Sequence, residues 1–216
     1  MVTTVAAARR SSRTAGKSAE LRRVSVPGVS AVPSPRREPI IELTAEQFRA
    51  RLTEALHVYV TAMGYPASTA QQRAPMWSAH MQREGWRCIG AFDDRSELVG
   101  LGYGYLGTPG QWWHEQVRRG LESSGGDANG WLDDYFELTE LHVHPECQAG
   151  GLGERILRKL LESARGNNVL LSTPEGPTRA WRLYRRLEFT DVLRDYRFTG
   201  DPRPFAVLGR PLPLER

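Results

Sequence analysis

Long apolar runs are missing from this chain of 216 residues. No stretch approaches the roughly 20 apolar residues that cross a bilayer, so no membrane-spanning segment is expected. Cysteine is scarce. Cys88 and Cys147 give no disulfide framework and no metal-ligand spacing, which points to reduced thiols and a cytoplasmic setting. Lysine is nearly absent too: of 29 basic residues only Lys17 and Lys159 are lysine, a coding bias that says little about function. His142 and His144 flank Val143, but nothing supplies a third ligand at a sensible spacing, so no metal is expected.

Acid is what residues 1–38 lack. Up to Arg37 they hold Arg9, Arg10, Arg13, Lys17, Arg22, Arg23, Arg36 and Arg37 against Glu20, a net +7. The whole chain is +4, so the remainder is −3 and the basic character belongs to the tail. Rich in Ala, Ser and Pro and without large apolar residues, the tail is expected to be disordered. A solvated extension, a cleaved organelle transit peptide and a nucleic-acid-binding arm are all open readings. The last is disfavoured, because no aromatic is interleaved to stack on bases.

Residues 39–216 are long enough for one domain with a real core. Pro39 to Leu43 reads as a short strand. Thr44 with Gln47 makes a capping-box entry into a helix to about Ala62, with Phe48, Leu52, Leu56 and Tyr59 on its buried face. Gly64-Tyr65-Pro66 breaks it, and a second helix runs from Ser68 to about Arg83. Trp86–Phe92 and Glu97–Tyr105 read as a hairpin. Residues 108–131 form an insert: a short helix over Pro109–Leu121 and a flexible glycine-rich link over Ser123–Gly130. A long loop on a rigid scaffold often carries recognition, so a lid is one expectation and a helix covering a sheet edge is the other. Further strands follow at Val169–Thr173, Val192–Phe198 and Phe205–Leu208.

The central stretch is Tyr135 to Arg165. Tyr135–His144 is a strand stopped by Pro145, and Leu152, Ile156, Leu160, Leu161 and Ala164 share one face of a helix. Between them lies Gln148-Ala149-Gly150-Gly151-Leu152-Gly153. Helix N-termini carry unpaired amides and partial positive charge, and glycines let an anion approach them. The dinucleotide fingerprint G-x-G-x-x-G fails, because Glu154, Arg155 and Ile156 follow Gly153. The phosphate loop ending in G-K-[ST] fails for want of its lysine.

What remains is Q-x-x-G-x-G after a Val-x-Pro strand end. This resembles the acyl-coenzyme A loop of the GNAT acetyltransferase superfamily. Ala180-Trp181-Arg182-Leu183-Tyr184, ending in Phe189, is similar to the family's A-x-x-L-Y-x-x-x-G-F, with Glu188 in place of the glycine. Pro177 stands where the family often has Asn.

The resemblance implies an α/β fold with a mixed, mostly antiparallel sheet flanked by helices. It implies acetyl-CoA as co-substrate and a primary amine, on a small molecule or a protein, as acceptor. A binding module of the same fold without turnover is the alternative, and a homodimer is compatible with either. Amides of Gln148, Ala149, Gly150, Gly151, Leu152 and Gly153 would hold the pyrophosphate. The backbone at Leu141, His142 and Val143 would hold the thioester and the pantetheine arm. Glu137 matches the family's general base and Tyr184 its acid. Strict alternation places Glu137 with Thr139, Leu141 and Val143 and places Glu140, the alternative base, on the other face; a bulge would change this. Tyr65, Met76, Trp77 and His80 are candidates for the acceptor wall. Asp127, Asp133, Asp134, Glu137 and Glu140 suggest an acidic approach for a cationic amine.

Overall fold

The computed structural model describes residues 38–214. The expectations for residues 1–37 lie outside it. Glu38, read above as the last tail residue, forms an ion pair with Arg155 at 3.0 Å.

Seven strands make one sheet in the order β1-β2-β3-β4-β5-β7-β6. They are β1 (Ile40–Leu43), β2 (Arg87–Phe92), β3 (Leu98–Leu106), β4 (Tyr135–Val143), β5 (Asn168–Pro174), β6 (Thr190–Tyr196) and β7 (Phe205–Pro211). Only β4 and β5 run parallel; the other five pairings are antiparallel. The sheet is therefore mixed and mostly antiparallel, as the sequence predicts.

Seven α-helices cover it: α1 (Ala45–Ala50), α2 (Leu52–Met63), α3 (Ser68–His80), α4 (Trp112–Ser124), α5 (Ala128–Leu132), α6 (Leu152–Leu161) and α7 (Arg179–Arg186). The capping box forms: Thr44 N–H donates to Gln47 Oε1 (2.9 Å) and Gln47 N–H to Thr44 Oγ1 (3.2 Å). The single helix expected to Ala62 is broken at Arg51, whose φ of −108° and ψ of 14° end α1 and start α2. Its apolar spacing runs on through the break, so periodicity alone does not show it.

Each face of the sheet has its own core. Leu152, Ile156, Leu157, Leu160 and Leu161 of α6 and Ala180 and Tyr184 of α7 pack with Phe136, Leu138, Leu141 and Val143 of β4 and with Val169 and Leu171 of β5. A Cβ at Gly100 or Gly102 would fall 2.9 Å from Ile156, so these glycines let α6 lie close on β3. On the other face, α1 to α3 pack Phe48, Leu56, Tyr59 and Trp77 against Leu101 and Tyr103 of β3. The far half of that face is covered by α4, through Trp113, Val117 and Leu121 against Leu170, Leu193, Phe205 and Val207.

The insert is thus not a loose lid. Trp113 Nε1–H donates to Ser172 Oγ (3.2 Å), and Tyr196 O–H donates to the Gln116 carbonyl (2.7 Å). Its helix covers a sheet face out to the edge strand β6, and α5 occupies part of the expected flexible link.

Candidate active site

The parallel pairing of β4 and β5 is short. Tyr135, Phe136 and Glu137 pair with Asn168, Val169 and Leu170, and there the ladder stops. Beyond it β4 continues to pair with β3 as far as Val143, and β5 with β7 as far as Pro174. The strands diverge, and the β4 backbone from Leu138 to Val143 has no β5 partner along this edge. Apart from Val143 O, which accepts from the Gln148 side chain, the polar groups it turns away from β3 are available to an extended ligand. A cleft of about 870 Å³ opens at this end, with Met63, Tyr65, Pro145, Pro174, Thr178 and Arg203 in its lining.

The glycine-rich turn sits beside the cleft. Pro145–Gly150 is a turn of 3₁₀ helix, and Gly151 takes φ +72°, a left-handed conformation suited to glycine. The first α6 bond runs from Arg155 N–H to Gly151 O (3.1 Å), so the amides of Leu152, Gly153 and Glu154 precede the intrahelical ladder. A Cβ at Gly150 or Gly151 would meet nothing within 4 Å. The Gln148 amide is already engaged: its Nε2 donates to Val143 O (2.9 Å), and its Oε1 accepts from Arg179 (3.1 Å). Only the backbone of Gln148 is left to face a ligand. Ala149 lies within the 3₁₀ turn.

Strict alternation does not hold along β4. Tyr103 of β3 pairs with Glu140 and Gly104 pairs with Leu138, so β4 advances two residues where β3 advances one, and Thr139 is the extra residue. The expected placement of Glu137 with Leu141 and Val143 is therefore corrected. Leu138, Leu141 and Val143 face α6. Glu137, Glu140 and His142 share the opposite face with Tyr103, Tyr105 and Trp77. Tyr105 O–H donates to Glu137 Oε1 (3.4 Å), and Trp77 Nε1–H donates to Glu140 Oε1 (3.2 Å). His142 Nε2 lies 2.5 Å from Glu140 Oε2.

These groups are buried, so the acidic approach expected from Glu137 and Glu140 is not at the surface. Burial pushes the Glu137 carboxyl up to about 8, against the opposing effects of the Tyr105 hydrogen bond and Arg83 and with help from the Glu140 charge. Such a group is partly ionised near neutral pH and able to take a proton. Tyr184 is fully buried in the α6-side core, and burial together with the Glu140 charge holds its phenol well above the ordinary range. Of the acceptor-wall candidates, Tyr65 lines the cleft and Met76 is partly buried. Trp77 and His80 lie inside, with His80 Nδ1 3.0 Å from the Tyr103 hydroxyl. Burial and the nearby Arg83 and Arg73 lower His80 to about 4, so it is neutral.

Seven buried side-chain atoms among the described residues have no hydrogen-bond partner. Five belong to β4, β5 and the helices on them: Glu137 Oε2, His142 Nδ1, Thr173 Oγ1, Tyr184 Oη and Tyr59 Oη. Orphaned buried polar atoms are costly, so each of these is a candidate contact for a ligand or an ordered water. Sequence reasoning gave neither Tyr59 nor Thr173 a role. Thr173 follows Ser172 at the polar end of an apolar strand run, and that pair was the available signal.

Residues 52–189 match the acetyltransferase (GNAT) family. The chain belongs to the GNAT family. It is an acyltransferase of the N-acetyltransferase type. A GCN5-like protein acetyltransferase of Mycobacterium tuberculosis, Rv2170, is 46% identical over 202 residues, covering 81% of this chain and 98% of the relative. Among solved GNAT folds, the Escherichia coli ribosomal-protein-S18-alanine N-acetyltransferase superposes with a TM-score of 0.54 at 18% identity, covering 83% of this chain and 96% of the other. The Sinorhizobium meliloti phosphinothricin acetyltransferase in complex with AcCoA gives 0.51 at 14% identity, over 82% and 89% of the two chains. At those identities the likeness is one of fold. No helix of this GNAT chain, among the described residues, is long and apolar enough to cross a membrane.

Proposed function

We propose that this GNAT chain transfers an acetyl group from acetyl-CoA directly to a primary amine of a protein. The observation that carries the reading is Glu137: buried, held near 8, with one carboxylate oxygen unpartnered, on the strand that parts from β5. The protein acceptor is favoured by the GCN5-like protein acetyltransferase that matches over most of both chains.

In this reading the free edge of β4 at Leu141, His142 and Val143 binds the pantetheine arm and orients the thioester. Amides from Gln148 to Gly153 bind the pyrophosphate at the start of α6. Glu137 takes a proton from the incoming ammonium through water, which leaves a nucleophilic amine. The amine nitrogen attacks the thioester carbonyl carbon, the C–S bond breaks, and Tyr184 supplies a proton to the departing sulfur. Tyr184 suits this task because its surroundings keep the hydroxyl protonated across the working pH range.

Thiol release from acetyl-CoA tests the proposal, measured with lysine-containing peptides, peptides with a free α-amine, spermidine and single amino acids. Release with peptide amines and acetylated peptide as product is the expected result. Turnover confined to spermidine or free amino acids would move the acceptor to a small molecule.

A further inference from the structure

The face of β4 that carries Glu137 also carries a second proton acceptor, poised by its neighbours. Glu140 is buried and both of its oxygens are engaged, Oε1 by the Trp77 indole N–H at 3.2 Å and Oε2 by His142 Nε2 at 2.5 Å. A carboxylate only accepts, so the hydrogen in the second contact belongs to Nε2. In the neutral ring the other nitrogen, Nδ1, is then a bare lone pair, and it has no partner. The imidazole is clamped as well, edge-on to Tyr59 at 5.0 Å and stacked on Trp77 at 6.4 Å. A carboxylate that fixes the tautomer of a histidine and stabilises its cation is a general device for making that histidine a base.

The chemistry calls for such a group. An ammonium acceptor has three N–H bonds and the amide product keeps one, so two protons must leave the nitrogen. Glu137 accounts for one. Its place on β4 is five residues from His142 but, with the bulge at Thr139, only four ladder steps, about 13 Å along a strand, so no single nitrogen touches both. His142 lies within the stretch of β4 that has no β5 partner. Tyr59 stands between it and Tyr65 of the cleft wall, with the two tyrosine rings 5.6 Å apart.

We propose that His142, oriented by Glu140 and Trp77, takes the second proton from the acceptor nitrogen through water, as the amide forms. This rests on the acyl transfer proposed above. The N–H bond breaks, its electron pair stays on nitrogen, and an Nδ1–H bond forms beside the Glu140 carboxylate. One of the two collected protons restores Tyr184 and the other leaves to solvent. Glu140 and Trp77 are positioning residues, acting through the ring.

The test compares His142→Gln, Glu140→Gln and the double variant with Glu137→Gln. Acetyl-CoA is paired with the fastest amine of the panel above. Each of the first two should lower kcat by about 10- to 100-fold with the acetyl-CoA KM unchanged, and the double variant should lose no more than the worse single one, because the two residues act as a unit. Losses that multiply, or a folded His142→Gln within twofold of wild type, overturn the proposal. If Glu137→Gln alone is impaired, the Glu137 reading stands and the His142 proposal falls; if Glu137→Gln alone is unimpaired, the reverse holds. A measurement on the unaltered chain stands apart from turnover and from the folding of any variant. ¹⁵N spectra of histidine-labelled protein should show His142 protonated on Nε2 and bare on Nδ1, and the opposite tautomer overturns the proposal.

Discussion

Glu137 and Glu140 stand three residues apart on β4 and yet face the same way, because Thr139 is an extra residue in the ladder with β3. One bulge therefore converts two alternative bases into two neighbours with different surroundings. Glu140 has both oxygens engaged, while Glu137 keeps one free. The two should respond differently to the same substitution.

The pH dependence of stability reports on Glu137. Its folded pKa, about 8, lies above the ordinary glutamate value of 4.5. Between those values the native state holds a proton that the unfolded chain has lost, so this residue makes stability fall as pH rises through the window. Glu137→Gln removes the dependence. The variant should gain on wild type by up to about 1.4 kcal/mol per pH unit from 5 to 8, then hold level. Denaturant titrations of both proteins at pH 5, 6.5 and 8.5 check this, and a constant difference would refute it.

For turnover the same variant should flatten the rising limb of the rate profile near pH 8. The check is kcat/KM from pH 6 to 9.5 on one peptide acceptor. An unchanged limb would assign it to the amine of the acceptor.

Tyr184→Phe removes one unpartnered hydroxyl from a packed core, so melting should hardly change. Turnover should fall by roughly 10- to 1000-fold with acetyl-CoA affinity retained. Single-turnover kinetics and calorimetric titration separate the two effects, and retained turnover would free Tyr184 of its role.

Gly151 permits a paired comparison. Its φ of +72° makes any side chain costly, by about 1 kcal/mol, although a Cβ there meets nothing. Gly151→Ala and Gly151→Asp both carry a backbone cost, no larger for Asp than for Ala, but only the carboxylate repels an anion at the start of α6. Acetyl-CoA affinity, read by calorimetry, should drop modestly in the first and beyond detection in the second. Equal losses would mean that loop shape matters and anion binding does not.

Gly120 tests α4 as core. Alanine normally stabilises a helix relative to glycine by up to about 1 kcal/mol. Here a Cβ would come within 2.6 Å of Leu193 Cδ1 and 2.8 Å of Tyr196 Cε2, and Tyr196 is pinned through its hydroxyl to the Gln116 carbonyl. Gly120→Ala should therefore lose about 1–2 kcal/mol. A raised melting temperature would show that α4 rests more loosely than described.

Much of the fold was legible because its signals are local. The capping box at Thr44 and Gln47, the Pro145 strand stop and the glycine-rich turn all act within a few residues. What escaped depends on partners far away in sequence. The bulge at Thr139 is defined by its register against β3, and the break at Arg51 leaves the apolar spacing intact. The insert spaces Trp113, Val117 and Leu121 as a helix would. Their partners on β5, β6 and β7 come some 50 to 95 residues later, so nothing local marks the helix as core. The tie that the Gln148 side chain makes between Val143 and Arg179 was not legible, because it needs the strand end and α7 side by side.

The ladder that joins the two halves of the sheet has three residue pairs, extended by the Asn167 and Asn168 N–H groups that donate to the Asp134 carbonyl. Apolar clusters on both faces cross that seam, one of them running from Ile89 of β2 through α6 to Leu208 of β7 and the other joining Tyr135 of β4 to Leu170 of β5. Contacts of this kind have no preferred direction and tolerate small sliding, whereas a ladder locks its register. The half-sheets are thus joined by a short run of backbone bonds at one end and by side-chain packing along the rest of the seam.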